Sequence, residues 1–228
     1  MKKIFVPLLL LIVVGQVWCQ PDPGFQQSWK QYRFGIRLIG GAVVEGGDLD
    51  GRDRLSVNPK DTAETRGDLL LGDPQASLSY GVGIGVRMDD HRLALSALWS
   101  PSKAEHRDVA RSAAADLMSV SIDYRFDFFQ DRLLRPSVGG GAHFAMRDLE
   151  AQFLPETGKP RSARVSGNGF QLAAGLGWWW SERVAILIET EYRFIAYRNI
   201  GLGDEGFVVD GYLIDHAWSP HIDFWIFF

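Results

Sequence analysis

Ionisable side chains recur at every second position through several segments of this chain. Charges spaced that way converge on one face of a strand instead of scattering around a helix. The set comprises Arg33, Arg37, Arg87, Arg125, Arg135 and Arg193 against Asp123, Asp127, Glu189, Glu191 and Asp223, with His143 and His221 nearby. Its natural chemistry is mutual ion pairing, because a charge withdrawn from water is tolerated only when paired and hydrogen-bonded. Counted from one end of their segments, Arg37, Asp123, Glu189, His221 and Asp223 fall at comparable heights, so an Arg37, Glu189, Asp223 network is expected. Such a network is either a polar plug supporting a wall or part of a gated, selective conduit.

Other candidates for chemistry are weaker. Gly81-Val82-Gly83-Ile84-Gly85 has the glycine spacing of a dinucleotide loop, but the turn residues Asp89-Asp90-His91-Arg92 follow where a helix would be required. Those glycines read instead as small residues facing an interior. No His and Cys spacing suits a metal centre, and no cofactor is expected. Glu45, Asp48, Asp50 and Asp53 could attract divalent cations, but they lack the spacing and closing Glu of an EF-hand and read as a solvated loop.

The elements that would position these groups are strands. Residues 76–88 set Leu78, Tyr80, Val82, Ile84, Val86 and Met88 against Ser77, Ser79, Gly81, Gly83, Gly85 and Arg87 without a break. Residues 116–127 do the same, with Met118, Val120, Ile122, Tyr124 and Phe126 opposing serines and charges. Similar alternation marks residues 31–44, 93–100, 134–146, 167–180, 184–197 and 212–228, eight segments in all. The last ends on Ile222, Phe224, Ile226 and Phe228, one continuous apolar face. Connections alternate between long ones of about 14 to 31 residues and short ones of about three to six, the rhythm of a membrane barrel with long external loops and tight periplasmic turns. The long ones are rich in Gly, Pro and charge, and read as solvated.

The beginning of the chain explains how it would reach a membrane. Met1-Lys2-Lys3 precedes an apolar run from Ile4 to Val14, the length of a signal-peptide core and too short to span a bilayer. The expected division is a signal peptide over 1–19 and a barrel over 20–228. Losing the two leader lysines shifts the formal charge from −4 to −6, and nothing suggests nucleic acid. Cys19 is the only cysteine, so the mature part has no disulfide framework.

Hydrocarbon offers no partner to an unpaired backbone group, so a sheet set in it must close. The expected fold is therefore all-β: an eight-stranded antiparallel transmembrane up-and-down β-barrel, polar faces inward and interior roughly filled by side chains. Tyr32, Phe126, Trp178, Trp180 and Phe228 would form a girdle at the periplasmic interface, with Trp99 and Trp218 at the external one. The competing soluble barrel, lipocalin-like, would point apolar residues inward and leave a ring of charges outside.

With its leader, eight alternating segments, loop rhythm and aromatic terminal strand, the chain resembles the small outer-membrane barrels of the OmpA, OmpX and OmpW type. The resemblance is architectural and covers the whole mature chain; no subfamily motif is present. It implies contact with outer-membrane lipid and lipopolysaccharide, and recognition of Phe224, Ile226 and Phe228 by the barrel-assembly machinery. It also implies a non-enzymatic barrel with a structural or surface-interaction role, the alternatives being a small OmpW-like channel for hydrophobic or small solutes, or a lipid A-modifying enzyme. For the enzyme, His216 and Ser219 have the wrong spacing for the deacylase pair, while His106, Asp108 and Ser112 form a loose loop collection. No external ligand is identified by any motif.

Overall fold

The computed structural model describes residues 32–47, 55–59, 67–71, 73–106, 111–129, 132–154, 161–202 and 205–228. The expected leader, Gln31, Asp48, Asp50, Asp53 and Asp108 lie outside them. Period-two alternation becomes strand throughout: β1 (Tyr32–Gly47), β2 (Leu55–Pro59), β3 (Gly67–Leu71), β4 (Asp73–Pro74), β5 (Ser77–Met88), β6 (His91–Ser100), β7 (Lys103–His106), β8 (Arg111–Ala114), β9 (Leu117–Asp127), β10 (Leu134–Leu154), β11 (Arg161–Trp179), β12 (Val184–Leu202) and β13 (Glu205–Phe227).

Eight of these strands form an antiparallel ring in the order β1, β5, β6, β9, β10, β11, β12, β13, and β13 returns to pair with β1. The closing seam runs from Gly35 opposite Phe227 to Gly47 opposite Asp215. Faces sort as the alternation requires. Leu78, Ile84, Leu172 and Ile188 are all at least 60% exposed on the outside, while Arg37, Arg125, Asp123 and Glu189 are buried within. This is the inverse of a soluble barrel.

Two parts of the sequence reading need correction. The expected four-residue turn at Asp89-Arg92 is a two-residue turn, Asp89-Asp90, with Asp89 at φ 50°, a conformation Asp tolerates. His91 already pairs with Met88 and Arg92 with Arg87, so Arg92 is a strand residue whose side chain points inward. Charge had disguised a strand end as a loop.

The long connections are also more ordered than their composition suggests. β10 to β13 run 19 to 23 residues against 10 to 16 for the other four barrel strands, well past the expected ends at 146, 167, 197 and 212. Register shifts at Ser166/Gly167 and Tyr197/Asn199 mark where the extensions begin. The first long connection supplies β2 and β3, which pair with each other, with β13 and with β10. β10, β11, β12, β13, β2 and β3 thus close a second, smaller ring on top of the first. A separate sheet of β4, β7 and β8 stands beside it.

Inward glycines let neighbouring side chains cross the lumen. A Cβ on Gly139 would sit 2.8 Å from Arg125 Cδ and 2.9 Å from Arg125 Cα, whereas one on outward Gly40 meets nothing within 4 Å. Gly139→Val should therefore destabilise the barrel by ~1–3 kcal/mol through overpacking, and Gly40→Val should leave it unchanged. Urea unfolding of the detergent-refolded protein, followed by tryptophan fluorescence, measures both; equal midpoints would overturn the packing assignment.

Candidate functional site

Among the described residues the interior gathers the buried ionisable groups, and it is built in layers. At the short-turn end, Trp179, Trp225 and Phe227 fill the lumen with Ala94, Ala185 and Leu187. Trp225 and Phe227 stack at 5.0 Å and 1°, and Phe227 stacks on Trp179 at 5.7 Å. Arg87 and Arg135 lie 4.2 and 4.8 Å from the Trp179 ring centre, while Arg37 and Arg92 approach the Trp225 ring at 5.9 and 6.0 Å. A guanidinium over an aromatic face is attracted by the ring quadrupole, so the stack connects two groups of arginines. Sequence reasoning missed this plug because it followed the inward half of the terminal strand only through His221 and Asp223 and not on to Trp225 and Phe227. That half, His221, Asp223, Trp225 and Phe227, carried the signal.

The second layer is centred on Arg37, 3% exposed on β1. Its Nε donates to Asp223 Oδ2 at 2.7 Å, Nη1 to Asp123 Oδ2 and Ser96 Oγ at 3.3 Å, and Nη2 to Glu189 Oε2 at 3.3 Å. Closure of β13 onto β1 brings Asp223 to Arg37, and β12 beside β13 brings Glu189. Glu189 also accepts from Arg92 Nη2 at 3.1 Å and Arg125 Nε at 3.3 Å. Glu191 joins Arg125 at 2.6 Å and Arg193 at 2.7 Å, and Arg92 grips Asp127 through two hydrogen bonds of 2.9 Å. Gln171 donates to Asp123. Arg33 stands apart: it meets Glu182 at the short-turn rim, where the Glu182 side chain is exposed.

Glu189, Glu191 and His221 hold potential ligand atoms within 4.8 Å of one another, a spacing a metal ion could bridge. Arg37 Nη2 lies 3.2 Å from His221 Nε2, so a guanidinium occupies the place of that cation. Four arginines here face five carboxylates, counting Arg37, Arg92, Arg125 and Arg193 against Asp123, Asp127, Glu189, Glu191 and Asp223. What this arrangement does chemically is lock six strands together.

Above it the lumen turns largely apolar around one buried ion pair. Ile39, Val43, Leu98 and Ala217 form one cluster, and twelve residues including Leu117, Leu149, Val165, Ile195, Tyr197, Ile200, Phe207 and Leu213 fill the smaller ring. His143 is buried below them, so near Gly169 that a Cβ there would lie 2.7 Å from its Nε2. Arg147, fully buried, pairs with Glu45. Glu45 is therefore the partner of a buried arginine, not a solvated loop acid. Both lie one residue past the segment ends expected at 44 and 146, where glycines or an acid follow in place of further alternation.

The remaining sequence candidates fall into place geometrically. Tyr32, Phe126, Trp178, Trp180 and Phe228 face outward at the short-turn end, and Trp99 and Trp218 face outward toward the long-loop end. Phe224, Ile226 and Phe228 share that outer face on the closing strand. His216 and Ser219 sit on opposite faces of β13, Ser219 fully buried inside and His216 outside, so they cannot act together. His106 and Ser112 fall in β7 and β8, on separate strands of the small sheet.

The architecture is that of the small outer-membrane barrels. No protein-family model and no curated protein matches the chain by sequence. Among solved structures, Neisserial surface protein A is similar over 85% of this chain and 96% of its own, at 10% identity and a TM-score of 0.52. The outer membrane protein OprG from Pseudomonas aeruginosa is similar over 85% of this chain and 95% of its own, at 13% identity and a TM-score of 0.50. At these identities the likeness is one of fold.

Removing one partner of a buried ion network strands the others in low dielectric, at ~3–5 kcal/mol, while an exposed pair contributes ~0–1 kcal/mol. Arg37→Ala should lower the unfolding temperature sharply and Arg33→Ala hardly at all. The loss of the fast-migrating folded band on unboiled gels, scanned against temperature, reads this difference; coincident curves would refute the central role of Arg37.

Proposed function

We propose that this chain is a non-enzymatic integral outer-membrane protein, a sealed barrel with a structural and surface role. Its apolar outer wall would be seated in lipid between the two aromatic girdles. The short turns and both termini would face the periplasm, and the smaller ring and three-stranded sheet would be presented outside. The leader supports export, and the outward Phe224, Ile226 and Phe228 support a role in recognition by the assembly machinery, which rests on the family resemblance.

The observation that carries this reading is the filled lumen. An aromatic stack, a paired ion network and an apolar core follow one another along the axis. A conduit for polar solutes needs a continuous wet path, and a conduit for apolar ones needs an unblocked mouth. Each layer opposes one of these. The separation of His216 from Ser219 onto opposite faces weighs against deacylase chemistry in the same way.

Planar-bilayer recording on the refolded protein is expected to give no discrete conductance steps, and reproducible steps from the native sequence would overturn the sealed reading. Carbonate washing of isolated membranes should leave the protein in the pellet. Lipid A from cells with and without the gene should give the same acylation pattern by mass spectrometry.

A further inference from the structure

The outer wall carries one arrangement twice. On β9 the run Asp123-Tyr124-Arg125-Phe126 sends its acid and arginine into the ion network and its two rings outward; on β12 Glu191-Tyr192-Arg193-Phe194 does the same. Opposite each phenylalanine stands a histidine: His91 pairs with Phe126 across β6 and β9, and His216 with Phe194 across β12 and β13. The geometry repeats closely. His91 Nδ1 is 2.7 Å from the Tyr124 hydroxyl and His216 Nδ1 is 2.6 Å from the Tyr192 hydroxyl. The tyrosine rings stack at 5.8 Å and 30° in one cluster and 5.7 Å and 28° in the other. The phenylalanines meet the imidazoles edge-on at 5.3 Å and 62°, and 5.2 Å and 69°.

Because β9 and β12 run in opposite directions, the two copies lie at opposite ends of the barrel. His91 follows the Asp89-Asp90 turn at the short-turn end, while Trp218 packs edge-on against Tyr192 at the long-loop end. Tyr32-Arg33-Phe34 repeats the last three residues a third time, but Phe34 faces Val86 and no histidine stands opposite it there.

The tautomer decides the direction of these two contacts; in the one where the tyrosine hydroxyl donates to Nδ1, the imidazole carries its proton on Nε2. Among the described residues neither Nε2 has a protein partner. In that tautomer a donor at the edge of a hydrocarbon layer needs an acceptor there, and an imidazole N–H suits an anionic oxygen. We propose that the two clusters are lipid head-group sites, one in each leaflet, in which His91 and His216 donate Nε2–H to a lipid phosphate oxygen. The inference rests on the membrane seat proposed above but not on which end faces outward, since each leaflet receives one site. The flanking rings would hold the lipid's upper acyl carbons, leaving the phosphate in register with the imidazole.

The test is solid-state NMR on the full chain carrying 15N-histidine, refolded into vesicles of phosphatidylethanolamine and phosphatidylglycerol, with 15N–31P dipolar recoupling. His91→Gln and His216→Gln assign the signals. Phosphorus dephasing is expected at Nε2 of both histidines and not at lumenal His143 or His221. Tyr192→Phe keeps the ring and removes the hydroxyl, so dephasing at His216 should fall by about half as the imidazole redistributes between its tautomers. Dephasing at only one histidine, or contact with ester carbonyl carbon or water in place of phosphorus, overturns the inference while the chain still floats with the vesicles. Failure to float would overturn the membrane seat itself.

Discussion

The pairing of β13 with β1 is the interaction on which the rest of the structure depends. A strand edge in hydrocarbon leaves donors and acceptors with nothing to bind, each at a cost of several kcal/mol, and only a closed ring removes every edge. Closure also determines who meets whom inside. Arg37 and Asp223 are 186 residues apart in sequence, yet they become neighbours at 2.7 Å because their strands form the seam. Without the seam, Arg37 would have no reason to be buried.

Closure then creates a second problem, since eight strands enclose a space too narrow for a stable column of water yet too wide for small side chains alone. Long arginines reaching over glycines fill it. Gly139 and Gly141 lie beneath Arg125 and Asp123, and Gly85 leaves room for Trp225. The aromatic stack sits against the arginines of the network, so apolar and charged layers share an interface through ring faces and guanidinium planes. Buried charge of this kind contributes modest net stability, and a slip of β13 along β1 would part Asp223 from Arg37.

Much of this was legible in the residues. Unbroken alternation in 76–88 and 116–127 placed the strands and their faces, and the long and short connections placed the hairpins. Arg37, Glu189 and Asp223 could be grouped by height because strand neighbours follow from closure. Illegible were features in which polarity and position disagree. Arg92 and Arg147 read as loop because charged residues flank them, and the strand extensions past 146 and 197 contain too much Arg, Asn and Glu to look like sheet. Trp179 and Trp225 escaped because period two reports which residues share a face, while the choice of a mixed polar and aromatic lumen is made by packing. The β2 and β3 hairpin depends on partners 80 or more residues away, and no local pattern encodes such a pairing.

The second ring has a consequence for timing. Its hairpin comes from the first long connection, but the strands it must touch, β10 and β13, are at the far end of the chain. Synthesis therefore delivers β2 and β3 long before their partners exist, and their edges stay open until the last strand has seated. The smaller ring can close only once β10 to β13 are seated, so its closure is a record that the last four strands of the chain are already in place.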